Sequence, residues 1–120
     1  MAWFHYNQNN SGGSFDFDET AGITHHVVIE AKNAWLADQR AQFAGIYFDG
    51  CDSGRDCSCC GDRWYSAAGE DGDEVPMVYG QPANAYEGWG GWMAEGKEIA
   101  VHTISGEILW YGETKKVDAA

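Results

Sequence analysis

The four cysteines are the side chains of this sequence with the clearest potential for chemistry, and all of them lie between residues 47 and 65. The stretch Cys57-Ser58-Cys59-Cys60-Gly61 contains a C-x-x-C-G pattern. A tight turn of this kind can point two thiolates at one ion, and the glycine lets backbone amides approach the sulfurs. A structural zinc site usually has four ligands. We therefore predict one structural zinc ion held by Cys51, Cys57, Cys59 and Cys60.

The cysteine loop also supports other interpretations. Alternatively, ligands could come from the sheet, from His5, His25, His26 or His102. The chain has no second C-x-x-C pattern, so it lacks the paired signal of many zinc sites. The thiols could instead be partly buried and chemically idle. One thiol could be a nucleophile, because Arg55 and Arg63 would lower a nearby thiol pKa while the neighbouring aspartates would raise it. The spacing of Asp49, Asp52 and Asp56 does not match the D-x-D-x-D-G pattern of calcium loops, so we do not predict calcium.

Arginine and aromatic side chains in two segments could form a ligand-binding surface. Asp62, Arg63 and Trp64 could close the cysteine loop through an ion pair, with the guanidinium stacked on the indole, or they could grip a ligand. The rings of the segment YEGWGGWM would stack on a ligand if exposed, whereas buried rings would plug one end of the sheet. The predicted ligand-binding residues are Arg63, Trp64, Tyr86, Trp89 and Trp92.

The sequence predicts no catalytic residue. His25 and His26 are adjacent, so in a regular strand they face opposite sides of the sheet and cannot both reach one metal ion. The chain contains no H-E-x-x-H, no P-loop and no G-x-G-x-x-G placed after a strand. A Ser-His-Asp or Cys-His arrangement cannot be recognised from spacing, because its members meet only in the fold.

The elements that must position these residues follow an α+β pattern. Asn33 is a good N-cap and Gly45 a good C-terminal glycine for a helix that carries a stripe of alanines. Pro76 argues against a central strand at residues 75–79. We predict an α+β fold with a small antiparallel or mixed β-sheet, one helix packed on a face, and a cysteine-rich loop. The predicted strands are residues 3–7 and 14–18 as a first hairpin, 23–30, 46–48, and 98–104 with 107–111 as a last hairpin.

Composition predicts one acidic domain, residues 1–114, followed by a flexible tail at residues 115–120. The 120 residues carry a formal net charge of −12. Such a charge argues against direct binding of nucleic acid or anionic membranes and favours basic partners or cations. No signal-peptide pattern and no apolar window of about 20 residues is present, so we expect a cytosolic protein whose thiols stay reduced.

The string Asp56-Cys57-Ser58-Cys59-Cys60-Gly61-Asp62-Arg63-Trp64, preceded by IYFDG, resembles a group of small uncharacterised bacteriophage proteins that carry a DCxCCGDRW motif. NQNNSGGSF and ITHHVVIEA are similar to the same group, so the likeness covers most of the chain. The resemblance implies a phage gene whose product acts in the cytoplasm of the infected bacterial host, and it implies no particular activity.

These features together favour a non-enzymatic bacteriophage accessory protein that acts by binding. The expected partner is a host bacterial protein or a small molecule, in a host-takeover or anti-defence role. Two alternatives remain open from the sequence. The chain could be a virion component, which would assemble into oligomers, or it could be a cysteine-dependent enzyme that uses Cys57 or Cys60 as its nucleophile.

Overall fold

A computed structural model describes residues 1–10, 14–86 and 96–112 of the chain. Within these residues four strands form one sheet, in the order β1-β2-β5-β6. The pair β2–β5 is parallel, and β1–β2 and β5–β6 are antiparallel. The mixed sheet, the single main helix and the cysteine-rich loop confirm the predicted α+β fold. The strands are β1 (Ala2–Asn7), β2 (His26–Ala31), β3 (Met77–Val78), β4 (Gln81–Pro82), β5 (Ile99–His102) and β6 (Ile108–Tyr111).

Helix α1 (Ala34–Ala44) has the ends that the sequence predicts. The Asn33 side chain accepts a hydrogen bond from the backbone N–H of Leu36 at 2.9 Å, which satisfies one of the free amides of the first turn. Gly45 has a φ of 119°, a left-handed conformation that favours glycine. Ala37 and Ala41 are fully buried, and α1 packs on β2. The small alanines therefore place the helix close against one face of the sheet.

Both faces of the central strand β2 are buried, as expected for a strand with a parallel neighbour. Val27 and Ile29 point toward α1, and Val28 points to the opposite face. Phe4, Tyr6 and Trp64 pack on the α1 side, which we call the helix face. On the other side, which we call the hairpin face, the buried residues are Val28, Val78, Ala83, Ile99 and Val101.

Two predicted strands are wrong. Residues 14–18 form no strand: β1 pairs with β2 instead, and in the described residues Asp18 makes only an isolated bridge to Ile23. Residues 46–48 form no strand either. The Ile46 N–H donates to the carbonyl of Ala41 and closes the end of α1, while β5 takes the place beside β2. The strand predicted at residues 23–30 begins three residues later, at His26.

The last hairpin is confirmed. β5 pairs with β6, and the Gly106 N–H donates to Thr103 O at 3.0 Å in the turn between them. Among the residues that the structure describes, β3 and β4 pair only with each other, so the segment around Pro76 is no central strand there. A one-turn helix α2 (Gly50–Ser53) inside the cysteine loop was not predicted.

No helix in the described residues is long and apolar enough to cross a membrane. Trp89, Trp92, residues 11–13 of the first predicted hairpin and the predicted tail at residues 115–120 lie outside the described ranges.

Candidate metal centre

The cysteine loop lies on the surface and carries four free thiols. Cys51 is half-buried, whereas Cys57, Cys59 and Cys60 are exposed. Cys57 to Cys60 form a tight turn in which the Cys60 N–H donates to Cys57 O at 3.1 Å. In the part of the chain that the structure describes, the side chains grouped closely enough to hold a metal ion include no cysteine. The predicted four-cysteine ligand set is therefore not assembled in this fold.

Two cysteines of the loop differ in acidity. A hydrogen bond with the Asp62 carboxylate, burial and nearby negative charge raise the pKa of Cys51 to about 11. The Cys51 thiol also donates to Cys57 O at 3.4 Å. The pKa of Cys57 is lowered, chiefly by a hydrogen bond from the Cys60 thiol and then by the backbone N–H groups of Cys59 and Cys60. Hydrogen bonds within the turn, not the two arginines, thus favour the Cys57 thiolate.

Arg63 and Trp64 lie in the interior of the protein, which conflicts with their predicted place on a ligand-binding surface. Trp64 is 1% exposed and packs in the core of the helix face. Arg63 is 8% exposed, and its guanidinium donates to Ser14 O at 2.7 Å and to the Gln8 amide oxygen at 3.1 Å. The guanidinium stacked on a ring in this loop belongs to Arg55, 3.7 Å from the centre of Tyr47.

The acidic partners of Arg63 are Asp16 and Asp56, not the neighbouring Asp62. The Arg63 Nε lies 3.4 Å from an oxygen of Asp16 and 3.8 Å from one of Asp56, whose side chain is fully buried. The Arg63 N–H also donates to Asp56 at 2.8 Å. Gly50 is required beside this pair, since a Cβ atom there would lie 1.8 Å from Asp56 Oδ2. Arg63 therefore anchors the base of the cysteine loop to the rest of the fold.

Tyr86 lies apart from Arg63 and Trp64. It packs against the core of the hairpin face, on the side of the sheet opposite to Trp64. The sheet thus separates the predicted ligand-binding residues that the structure describes, and Trp89 and Trp92 fall outside the described residues. The predicted surface is not assembled from Arg63, Trp64 and Tyr86.

A different group of potential ligands lies where β1 ends and β2 and β5 begin. One ligand atom from each of His25, His26 and Glu98 lies within 4.8 Å of the others. We call these three residues the His–Glu cluster. Backbone hydrogen bonds fix its position: the His26 N–H donates to Glu98 O at 3.0 Å, and the Gln8 N–H donates to His25 O at 2.8 Å.

The placement of His25 and His26 corrects the sequence analysis. Strand β2 begins only at His26, and residues 24 and 25 form a bend. The alternation of side chains therefore does not apply to His25. The two imidazoles stack, with ring centres 4.1 Å apart and an interplanar angle of 18°. Two adjacent histidines can consequently face one ion together.

His26 is the most enclosed member of the His–Glu cluster. It is 0% exposed, and the rings of Tyr79 and Tyr86 contact it edge-on at 5.1 and 5.5 Å. Its Nδ1 lies 2.9 Å from the Nε2 of His5. Its Nε2 is buried and has no hydrogen-bond partner in the described residues. A buried imidazole nitrogen without a partner is costly for a fold, unless it binds something.

The histidines of this region are uncharged near neutral pH. Burial, followed by the nearby His25 and His5, lowers the pKa of His26 to about 2. Burial and His25 lower the pKa of His5 to about 4, and burial lowers the pKa of His25. A neutral imidazole keeps a lone pair, which is the form that binds a metal ion.

Glu98 completes the cluster from the loop that leads into β5. Glu98 is 1% exposed, and a hydrogen bond joins its carboxylate to the Tyr86 side chain. Burial, followed by the charge of Glu98, raises the pKa of Tyr86 to about 12, so the phenol stays protonated and donates to the carboxylate. A donor of this kind orients a carboxylate ligand.

The donor set determines what the cluster can do. Two imidazoles and one carboxylate suit zinc and other first-row transition metals, whereas calcium and magnesium prefer oxygen ligands alone. The sequence signal for this site was the adjacent pair His25-His26. Glu98 carried no signal, because it reaches the histidines only through the parallel pairing of β2 with β5.

Comparisons with known proteins place the chain in a family. Searches of curated proteins and of solved structures return no match. A family model described as "Domain of unknown function (DUF7296)" matches residues 1–119. The chain belongs to this family.

Proposed function

We propose that the chain is a bacteriophage accessory protein that acts by binding in the cytoplasm of the infected host, and that it holds one zinc ion through His25, His26 and Glu98. The observation that carries the metal site is the convergence of three ligand atoms within 4.8 Å around a fully buried His26. The resemblance of the cysteine motif to phage proteins supports the origin.

The geometry of the His–Glu cluster suits zinc after a small adjustment. In a tetrahedral site with bonds of about 2.0–2.1 Å, ligand atoms lie about 3.3 Å apart. The three side chains must therefore close by at most about 1.5 Å from their 4.8 Å limit. His26 would bind through Nε2, and its Nδ1–H would donate to His5, as the second nitrogen of a metal-bound histidine usually donates to a neighbour.

Three protein ligands leave one position of a tetrahedral site for water or for an atom of a bound molecule. His25 is half-buried, whereas His26 and Glu98 are buried. The His25 side therefore gives the ion a route from solvent. The net charge of −12 raises the local concentration of cations around the protein.

Cobalt(II) substitution tests the metal site and distinguishes it from the cysteine loop. Metal-free protein is titrated with cobalt(II) and then with zinc. We expect one equivalent of cobalt(II) to bind and to show the visible absorption bands of cobalt(II) with nitrogen and oxygen ligands. Zinc should then displace the cobalt. His26→Asn retains a polar atom near the Nδ1 position but loses Nε2, so it should not bind. His102→Asn is the matched control. His102 is also buried, but its Nε2 lies 2.8 Å from Gly22 O and it is not part of the His–Glu cluster.

A strong thiolate-to-cobalt absorption band, or equal binding by wild type and His26→Asn, would contradict the proposed site. Glu98→Gln tests the carboxylate separately, because the amide has the same shape and lacks the charge. It should weaken binding by at least about tenfold, an effect typical of altered ligands and their supports.

The exposed apolar side chains of α1 support the binding half of the proposal. Phe43 is 97% exposed and Trp35 is 68% exposed. Large rings at the surface of an acidic protein fit a host protein whose surface combines apolar and basic residues. The test is affinity purification from bacterial cells. A stoichiometric partner should dissociate at high salt and be lost in Phe43→Ser, but not in the control Val75→Ser. Binding that is insensitive to both changes would contradict this surface.

A further inference from the structure

We propose that Cys57 and Cys60 form a dithiol that exchanges with low-molecular-weight disulfides, with Cys57 as the attacking thiol and Cys60 as the resolving thiol. This site lies in the cysteine loop and does not depend on the His–Glu cluster. Its product would be an intramolecular Cys57–Cys60 disulfide.

The turn brings the two thiols together. The Cys60 N–H donates to Cys57 O at 3.1 Å, which closes the turn from Cys57 to Cys60. The hydrogen bonds that lower the pKa of Cys57 come from within this turn, first from the Cys60 thiol and then from the backbone N–H groups of Cys59 and Cys60. A C-x-x-C turn that directs donors at its first sulfur is the arrangement that stabilises a nucleophilic thiolate in dithiol oxidoreductases.

Access and acidity select Cys57 within the loop. Cys57 and Cys60 are exposed, so a small disulfide can approach them. The hydrogen bonds described above lower the pKa of Cys57. Cys51 has the opposite environment, because its contact with Asp62 raises its pKa and its thiol donates to Cys57 O. Cys51 therefore serves as an internal control: it is a thiol of the same loop whose pKa is raised rather than lowered.

The exchange balances in two steps with glutathione disulfide as the co-reactant. The Cys57 thiolate attacks one sulfur of glutathione disulfide, forms a Cys57–glutathione mixed disulfide and releases one glutathione thiolate, which takes a proton from water. Cys60 then loses its proton to water and attacks Cys57 Sγ. This step forms the Cys57–Cys60 disulfide and releases the second glutathione thiolate. Two protein thiols are oxidised and one glutathione disulfide is reduced to two thiols.

Intact-mass spectrometry with peptide mapping tests the proposal. Reduced, metal-free protein is mixed with glutathione disulfide at pH 7 and quenched with acid. We expect wild type to lose two hydrogens through a Cys57–Cys60 disulfide. Cys60→Ser should stop at a glutathione adduct on Cys57, because the resolving thiol is missing. Cys51→Ser should behave as wild type.

The attacking role has a separate measurement. Under limiting iodoacetamide at pH 7, Cys57 should be labelled at least about tenfold faster than Cys51, as its thiolate is favoured. Cys57→Ser should react slowly with glutathione disulfide at every remaining cysteine. Two results would overturn the proposal: equal labelling of Cys57 and Cys51, or adducts spread over all four cysteines with no Cys57–Cys60 disulfide. A far-ultraviolet circular dichroism spectrum shows that each variant is folded before it is scored.

Discussion

The cysteine loop and the His–Glu cluster both contain side chains that bind metals, but the fold treats them differently. The loop exposes three of its four thiols and brings no three metal ligands together in the described residues. The cluster buries two of its three ligands and orients them with His5 and Tyr86. The difference shows that potential ligands that are close in the sequence do not necessarily converge in the fold, whereas ligands from distant segments can.

The largest expected effect concerns the base of the cysteine loop. Arg63→Ala should lower the free energy of unfolding by about 3–5 kcal/mol, because it leaves the buried Asp56 carboxylate without its cationic partner. Urea denaturation measures this change. Arg55→Ala is the control, since the exposed Arg55 stacks on Tyr47 and acts on Asp56 only through its charge, so its loss should cost less than about 1 kcal/mol. Equal effects of the two substitutions would show that Arg63 does not anchor the loop.

Zinc should stabilise the fold through the His–Glu cluster. At a free zinc concentration about 100 times Kd, a single site adds about 2.7 kcal/mol to the free energy of unfolding. Thermal unfolding of metal-free protein with and without zinc measures the gain. Wild type and His102→Asn should show it, and His26→Asn should not. A zinc-dependent gain that persists in His26→Asn would place the ion elsewhere.

Acidification should destabilise the metal-free protein. His5 has a folded-state pKa of about 4 against about 6.5 when unfolded, so below pH 6.5 the unfolded chain binds more protons than the folded one. The stability that the neutral imidazole contributes is complete above pH 6.5 and is lost as the pH falls toward 4. We expect His5 to account for a loss of about 1–2 kcal/mol across this window, because water screens the half-buried His5, and the lowered pKa values of His25 and His26 add to the loss. His5→Asn should reduce the loss, and a stability that rises on acidification would contradict the assignment.

The smallest effect should come from the exposed thiols. Cys57→Ser, Cys59→Ser and Cys60→Ser should each change the free energy of unfolding by less than about 0.5 kcal/mol, because each side chain is exposed. A four-cysteine zinc site predicts a loss of several kcal/mol for Cys57→Ser instead. Urea denaturation in the presence of zinc therefore distinguishes a metal site in the His–Glu cluster from one in the cysteine loop.

Local signals in the sequence predicted the helix and the last hairpin. Asn33 and Gly45 define the two ends of α1 through contacts within one turn, so their residue types were sufficient to predict where the helix begins and ends. The strand predicted at residues 14–18 failed because alternation alone does not show which strand pairs with β1. The apolar pattern of residues 46–48 likewise could not reveal that β5, a distant segment of the chain, would lie beside β2.

The His–Glu cluster escaped prediction for two physical reasons. A bend at residues 24 and 25 breaks the strand period just before His26, so adjacent histidines share one side. Glu98 reaches the histidines because two segments far apart in the sequence lie side by side. The hydrogen bond from the Thr24 hydroxyl to Lys97 O, for example, spans 73 residues. The burial of Arg63 was hidden in the same way, because its partners Ser14 and Asp16 lie far away along the chain.

Native mass spectrometry of three chains, each loaded with the same excess of zinc and then desalted, tests the central claim most directly. The chains are wild type, His26→Asn and a variant in which all four cysteines are serine. We predict one zinc ion in wild type and in the cysteine-free variant, and none in His26→Asn. Zinc retained by His26→Asn and lost from the cysteine-free variant would contradict the account and return the metal to the cysteine loop.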